Sequence, residues 1–448
     1  MLSRTDGNNV TTIYNYNDPE SLINGITCPT GTIGSVSYAY DSYGRRSAMY
    51  DGTGGQAYAY DDVNNLITKN VSHTGITGQT LGYAFWLDGS RKQMTTSQGS
   101  FLYFYDAVGR MTTLVNPSAE TSSWVYQANG WLSTQTQANG TSTVYTRDPQ
   151  GRVTDLRNKQ GTTTLSDFAV PATGGYDGIG NRLKVNVSIP AVPALNGTTN
   201  YAYDYGQSAN PQLNRSQVTG ETSTRGGGYT NANSFDNGSG SGPGNPTALE
   251  GQRGGFNADN QNTWNYFAWD GNGNRSYQPG TGGSPNIFDP ENRMTSYWGG
   301  NFTAGYDGDG RQAWTQNPGG QRITFTYDGD QAVLVQYTDG SVIGVASFGA
   351  NGLLSSRNPS SGVSSFYTFD LSGNTCQSLT SADTPNYTNL VSAFGLSRSR
   401  SAVRVPGREH WLPLPAGAPV LRRAVRPVHD PRSDRVCGRG EPVRVYGQ

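Results

Sequence analysis

Apolar and polar positions alternate in short runs along this chain, and the runs end in the same kind of turn. In Tyr38-Ala39-Tyr40, a period of two puts both tyrosines on one face of a pleated strand and Ala39 on the other. Asp41 can then bond its own backbone two residues on. Gly44 offers the positive φ that a type I turn with a bulge requires, and Arg45 opens the return strand. Pro149 and Pro290 follow an Asp, where a fixed φ suits the turn. Leu183-Lys184-Val185-Asn186-Val187 alternates cleanly, and Val153-Thr154-Asp155-Leu156 partly. The pattern predicts β-hairpins in series and no helix.

The unit Tyr-Xaa-Tyr-Asp-Xaa-Xaa-Gly-Arg recurs. It is clean at Tyr38–Arg45 and recognisable at Tyr105 (YDAVGR), Tyr176 (YDGIGNR), Trp269 (WDGNGNR), Tyr306 (YDGDGR) and Phe369 (FDLSGN). Weaker copies begin at Tyr60, Arg147, Phe288 and Tyr327. Many neighbours lie roughly 18 to 30 residues apart, the span of one supersecondary unit stacked on the next, and wider gaps read as worn copies. Tyrosine-rich strands alone would indicate only an aromatic β core. Asp, Gly and Arg or Asn in fixed order, about ten times over, indicate a repeat array.

These residues resemble the YD repeats of bacterial RHS proteins, and through them the YD shells of teneurins and of insecticidal toxin-complex subunits. The likeness covers about residues 10 to 395. It implies an all-β fold, a repetitive antiparallel β-hairpin ribbon wound as a spiral sheet into a partial shell. In the family the shell encloses a C-terminal toxin domain exported by secretion machinery, and an RHS core carries self-cleaving aspartates. The resemblance therefore implies a non-catalytic wall, a partner toxin, secretion machinery, and an extracellular or cell-surface location.

Composition narrows the alternatives. Only 15% of residues are charged while 60 are Gly and 27 Tyr, so neutral polar groups must solubilise the array; regular aromatics argue against disorder. A net charge of −1 gives no global field for nucleic acid or an anionic membrane. No apolar run spans a bilayer, and Met1–Asn8 holds no signal-peptide core, so export would use a signal elsewhere. Cys28, Cys376 and Cys437 are too scattered for a disulfide framework or zinc spacing and read as free, buried thiols.

In chain order, 1–395 reads as a YD-repeat shell fragment that begins mid-array, without the cap a solenoid end needs. A Gly/Asn/Ser-rich stretch at about 218–261 reads as a loop or irregular turn. The segment 366–395 resembles the opening of the RHS core and ends on Ser392-Ala393-Phe394-Gly395.

From Arg398 the chain becomes Arg- and Pro-rich without Lys. A basic arm is the ordinary reading. Yet His410–Val445, read one nucleotide later with permitted synonymous codons, can spell TGYLYLRARQYYD, GRFMTRDPIG and YAGGVNLYGY. That resembles the end signature of the RHS core in order and spacing. The expectation is a frameshift between Gly395 and His410, which leaves 396–448 an out-of-frame, disordered tail without the cleavage aspartates.

Sequence offers no catalytic, cofactor or metal site. Of three histidines, two lie in the tail and His73 reads as a surface residue. Asp270–Asn274 has the 1-3-5 oxygen spacing of a calcium loop but Arg275 at position six and Thr281 at twelve, so it reads as a repeat turn. Gly226–Gly228 lacks the Lys-Ser/Thr of a phosphate loop. Two rival functions remain. In one, an adhesin displays Trp86, Trp124, Trp131 or Trp298 to cell-surface glycans or proteins, although their strand-like settings favour core. In the other, confined to an in-frame parent, the RHS core is autoproteolytic. Open strand edges predict poor solubility of the isolated chain.

Overall fold

In the computed structural model, residues 2–388 are described apart from 17–20, 29–34, 205–215, 236–245, 250–251, 254–260, 262–267, 278–284 and 381–384. The ladders among them are antiparallel hairpins, each strand pairing with its neighbours in sequence. Among the described residues the helical elements are short 3-10 turns such as Pro193–Leu195 and Arg225–Gly227. The chain is thus an all-β ribbon of hairpins. Residues 396–448, and with them Cys437, His410, His429 and the frameshift reading, lie outside the described residues.

The ribbon divides into two compact units. Among the described residues, the first joins those of Met1–Glu120 to Asn286–Ile343, and the second joins those of Thr121–Pro285 to those of 344–388. In each unit an early run of strands contacts a later run more than 200 residues away in sequence.

In the first unit, alternation drives one face inward. Leu66–His73 shows it directly: Lys69, Val71 and His73 are buried and Asn70 and Ser72 exposed. Met49, Leu81, Met94, Phe101 and Leu114 fill this core, with Ala304, Ala313, Val333 and Leu334 supplied by the later run. His73 is 8% exposed, which corrects the surface reading: its strand register points it inward, where Nε2 lies 3.2 Å from the carbonyl of Phe325.

In the second unit Leu156, Phe168, Val170, Val185, Val187, Ile189, Leu195 and Cys376 form one cluster. Cys376 is a free, buried thiol, whereas Cys28 is only half-buried. Beside the cluster runs a buried polar row. Thr143 bonds Asn158 at 2.7 Å, Asn158 bonds Ser166 at 2.9 Å, and Thr199 meets Ser223 at 3.0 Å. These cross-strand pairs remove the penalty that burying a lone hydroxyl or amide would carry.

The 218–261 stretch is not all loop. Val218–Ser223 pairs with Gly197–Tyr203 on one side and Tyr229–Ala232 on the other, extending the ladder. Its Glu221, 1% exposed, accepts from the Tyr229 hydroxyl at 2.9 Å and from Asn231 at 3.2 Å. Polar composition hid a strand whose inward positions are polar and internally bonded.

Candidate functional site: the repeated aspartate turn

One turn geometry recurs wherever the clean motif does. In Asp41–Arg45 the Asp41 amide donates to the Arg45 carbonyl at 2.8 Å, and the Gly44 amide donates to the Asp41 carbonyl at 3.0 Å. Gly44 sits at φ 73°, a conformation that would strain other residues. The ladder slips by one residue between Ala39 and Tyr40, the bulge expected of this loop.

The aspartate closes the turn. Asp41 Oδ1 accepts from the amides of Tyr43 at 3.0 Å and Arg45 at 2.9 Å, while Oδ2 accepts from Arg45 Nε at 2.7 Å. Asp106, Asp148, Asp289 and Asp307 repeat this with Arg110, Arg152, Arg293 and Arg311. Where the last residue is Asn, as in Asp177–Asn181 and Asp270–Asn274, its amide takes the Arg's place. Asp270 therefore spends its oxygens on the turn, as the repeat reading expects. Burial pushes the Asp106 carboxyl up, but donation from the Arg110 backbone and side chain and from Val108 outweighs it, leaving the group below the ordinary carboxylate range.

Arg and Tyr join one turn to the next. Arg45 Nη1 donates to the Asp61 carbonyl at 2.9 Å, and its guanidinium lies 4.7 Å from the Tyr60 ring centre. Arg152 reaches Asp177 and Tyr176, Arg293 reaches Asp307 and Tyr306, and Arg311 reaches Gly329 and Tyr327 in the same way.

The tyrosine then bonds backwards. Tyr60, Tyr176, Tyr203, Tyr306 and Tyr327 donate to the carbonyls of Arg46, Val153, Arg182, Met294 and Gln312. Each acceptor stands five residues after the preceding turn aspartate. A cation–π contact and a hydrogen bond are each worth about 0.5–1 kcal/mol at such half-buried places. Repeated along the array, they make the motif a clasp between turns as well as a turn.

Sequence reading missed several copies. Trp86–Ser90, Asn116–Glu120, Gln127–Trp131, Gln137–Thr141 and Tyr337–Ser341 have the same two backbone bonds. In most of these the acceptor moves two residues on: Asp88, Asn129, Asn139 and Asp339 each accept from an amide two positions later. An Asp or Asn before Gly was the available signal. These are the worn copies that the wide gaps implied.

The weak copy at Tyr327 differs. Asp328 pairs directly with Gln331 across a two-residue loop. Its carboxylate is therefore not consumed in a turn, and it binds Arg91 and, at 3.1 Å, the Tyr83 hydroxyl.

The later strand runs press turns onto the early ones. In the first unit, Gly308 donates to Asp51 at 2.7 Å and accepts from Tyr38 at 3.2 Å; a Cβ at Gly308 would lie 2.6 Å from Val36. Asp307 accepts from Gln56 at 2.9 Å and Asp309 from Arg46 at 2.5 Å. In the second unit Gly349 lies against the Trp124 indole, whose Nε1 donates to Asn351 at 3.0 Å. Gln137 donates to the Tyr367 carbonyl at 2.7 Å.

Of the four tryptophans considered for sugar stacking, Trp124 is 3% exposed, Trp131 packs on Gly151 and Trp86 is 40% exposed beneath Lys92. The Trp298 side chain lies outside the described residues. Among the described residues no group of three or more His, Cys, Asp or Glu is placed to hold a metal. No described helix is long and apolar enough to cross a membrane.

The RHS Repeat family model matches residues 126–163, which contain the Gln127, Gln137 and Asp148 turns. No curated protein matches the chain in sequence. Among solved structures it is similar to TcdB2-TccC3-Cdc42, with a TM-score of 0.67 and 13% identity over 88% of this chain and 23% of that one. It is similar also to TcdB2-TccC3 without its hypervariable C-terminal region, with a TM-score of 0.61 and 14% identity over 88% of this chain and 23% of that one. The chain thus spans about a quarter of the chains it matches, and the likeness is one of fold. Residues 126–163 match the RHS Repeat model and the same aspartate turn recurs on both sides of them, which supports an RHS/YD-repeat assignment for the chain.

Proposed function

We propose that this chain is a structural wall: part of the shell of a longer RHS-type protein that encloses and delivers a C-terminal toxin outside the cell, with no turnover of its own. The observation that carries this reading is where the motif's chemistry is spent. The Asp, Arg and Tyr of successive copies bond one another and the backbone. The similar solved chains are about four times longer, which suits a segment of a larger wall.

The test is limited proteolysis of the full-length parent. The segment after the array is expected to resist protease while the wall is intact, and to be cut once turn aspartates such as Asp289 are replaced. Cleavage at equal rates in both states would contradict enclosure. The glycan-binding alternative retains Trp86 as its platform and would be supported by glycan capture lost in Trp86→Ala. For 396–448 the proposal remains a frame change after Gly395, tested by resequencing the coding DNA from about codon 390.

A further inference from the structure

The two units place an arginine at the same repeat position against the same position of an opposing turn, but only one finds an acid there. Arg46 and Arg182 each stand five residues after a turn aspartate, Asp41 and Asp177. Asp309 and Ser372 each stand two residues after one, Asp307 and Asp370. In the first unit Arg46 meets Asp309 at 2.5 Å. In the second, Arg182 Nη2 meets the Ser372 hydroxyl at 2.8 Å. The guanidinium is otherwise thinly partnered: it lies 5.9 Å from the Tyr201 ring centre, and its Nε is buried with no acceptor.

The carboxylates of the adjoining turns are spent elsewhere. Asp370 accepts from the amides of Ser372 at 2.8 Å and Asn374 at 2.9 Å and from the Asn374 side chain at 3.0 Å. Asp177 accepts from Ile179, Asn181 and the Asn181 side chain. Nearby, Arg147 stands where the motif has its second Tyr. It donates to the Gly151 carbonyl at 3.1 Å and has a buried, unpartnered Nε of its own. Burial raises the Tyr176 phenol and Asp148 adds to this, while Arg182, Arg152 and Arg147 pull it back; of these three guanidiniums Arg152 is already paired with Asp148, at 2.6 Å.

We propose that Arg182 and Ser372 form a binding site for a small oxyanion, phosphate or sulfate, which supplies the negative charge that Asp309 supplies in the first unit. The guanidinium offers its fork of N–H donors, a geometry suited to such an anion. The Ser372 hydroxyl turns to donate to it. Ser372 is exposed, so the anion has access from solvent.

The test is thermal unfolding and calorimetry of the whole chain with inorganic phosphate or sulfate against chloride at equal ionic strength. The wild type is expected to show a saturable, phosphate-dependent rise in Tm and a binding isotherm. Ser372→Asp places the anion internally and is expected to raise Tm without phosphate and remove the phosphate response. Arg182→Gln is expected to lose that response, and Asp309→Ser to add a second one. Three results would each overturn the proposal: no response beyond chloride, a response that survives Arg182→Gln, or a Ser372→Asp variant that still responds as the wild type does. Because Ser372→Asp adds an ion pair rather than removing one, it keeps the test valid even if Arg182→Gln fails to fold.

Discussion

The two units solve one problem with different chemistry. Both must hold a late run of strands against an early run, at turns more than 200 residues apart in sequence. The first unit uses charge: Arg46 with Asp309, Arg91 with Asp328, and buried Lys69, whose ammonium donates to the Tyr327 carbonyl at 2.9 Å. The second uses mainly neutral groups. Asn351 joins Trp124 and Gln135, Gln137 and Asn158 reach the carbonyls of Tyr367 and Phe369, and Gln377 reaches that of Leu165. A repeat array needs its turn conserved in form, whereas the contacts between runs can be charged or neutral so long as buried groups are paired.

The largest expected effect is in the charged unit. Asp328 is 10% exposed and serves both Arg91 and Tyr83. Asp328→Asn should destabilise by about 3 kcal/mol, because it leaves a half-buried guanidinium without its anion. Asn351→Ala in the second unit removes neutral bonds and should cost about 1–2 kcal/mol. Equal losses in chemical denaturation would erase the distinction between the units.

Lys69 sharpens the same contrast through pH. Burial first, and then Arg311, push its ammonium down to about 8 from the ordinary 10.5. Between those values the unfolded chain binds more protons than the folded one, so wild-type stability rises with pH across that window. Lys69→Met should remove that slope and stabilise the chain at pH 7 by roughly 1 kcal/mol, the desolvation cost outweighing one hydrogen bond. A variant with the wild-type slope would show that Lys69 is not the titrating group.

The second unit has a smaller counterpart of opposite sign. Asp155 and Asp167 share Arg157, at 3.1 and 2.9 Å, and their carboxyls also hydrogen-bond each other. Burial, then the hydrogen bond and charge of Asp167, raise the Asp155 carboxyl well above its ordinary range. The folded chain then keeps a proton that the unfolded chain has lost, and stability falls as pH rises from about 4 toward neutrality. Asp155→Asn should flatten that fall, a gain of about 1 kcal/mol at pH 7 after allowing for solvent screening. A fall in stability over that range unchanged by the substitution would clear the pair of this role.

Much of the local structure was legible beforehand because the motif is local. Asp41, Gly44 and Arg45 dictate a turn with no help from distant residues, and the alternation around them fixes strands and faces. What escaped depended on partners far along the chain. His73 reads as polar and exposed until Phe325 is brought above it. Val218–Ser223 reads as loop until Glu221 meets Tyr229 and Asn231. The turn-to-turn clasp was hidden for a related reason: the Arg and Tyr of one copy act on the neighbouring copy, which a search for identical units does not reveal.

That clasp is the central claim, and native-state hydrogen exchange on an Asp41→Ala variant tests it most directly. Releasing Arg45 from Asp41 should free it from the Asp61 carbonyl and the Tyr60 ring as well. The prediction is faster exchange at the amides of the second turn, Val63 and Asn65, which bond only Asp61. Faster exchange confined to residues 41–45, with Val63 and Asn65 unchanged, would show that the turns stand independently and would contradict the clasp.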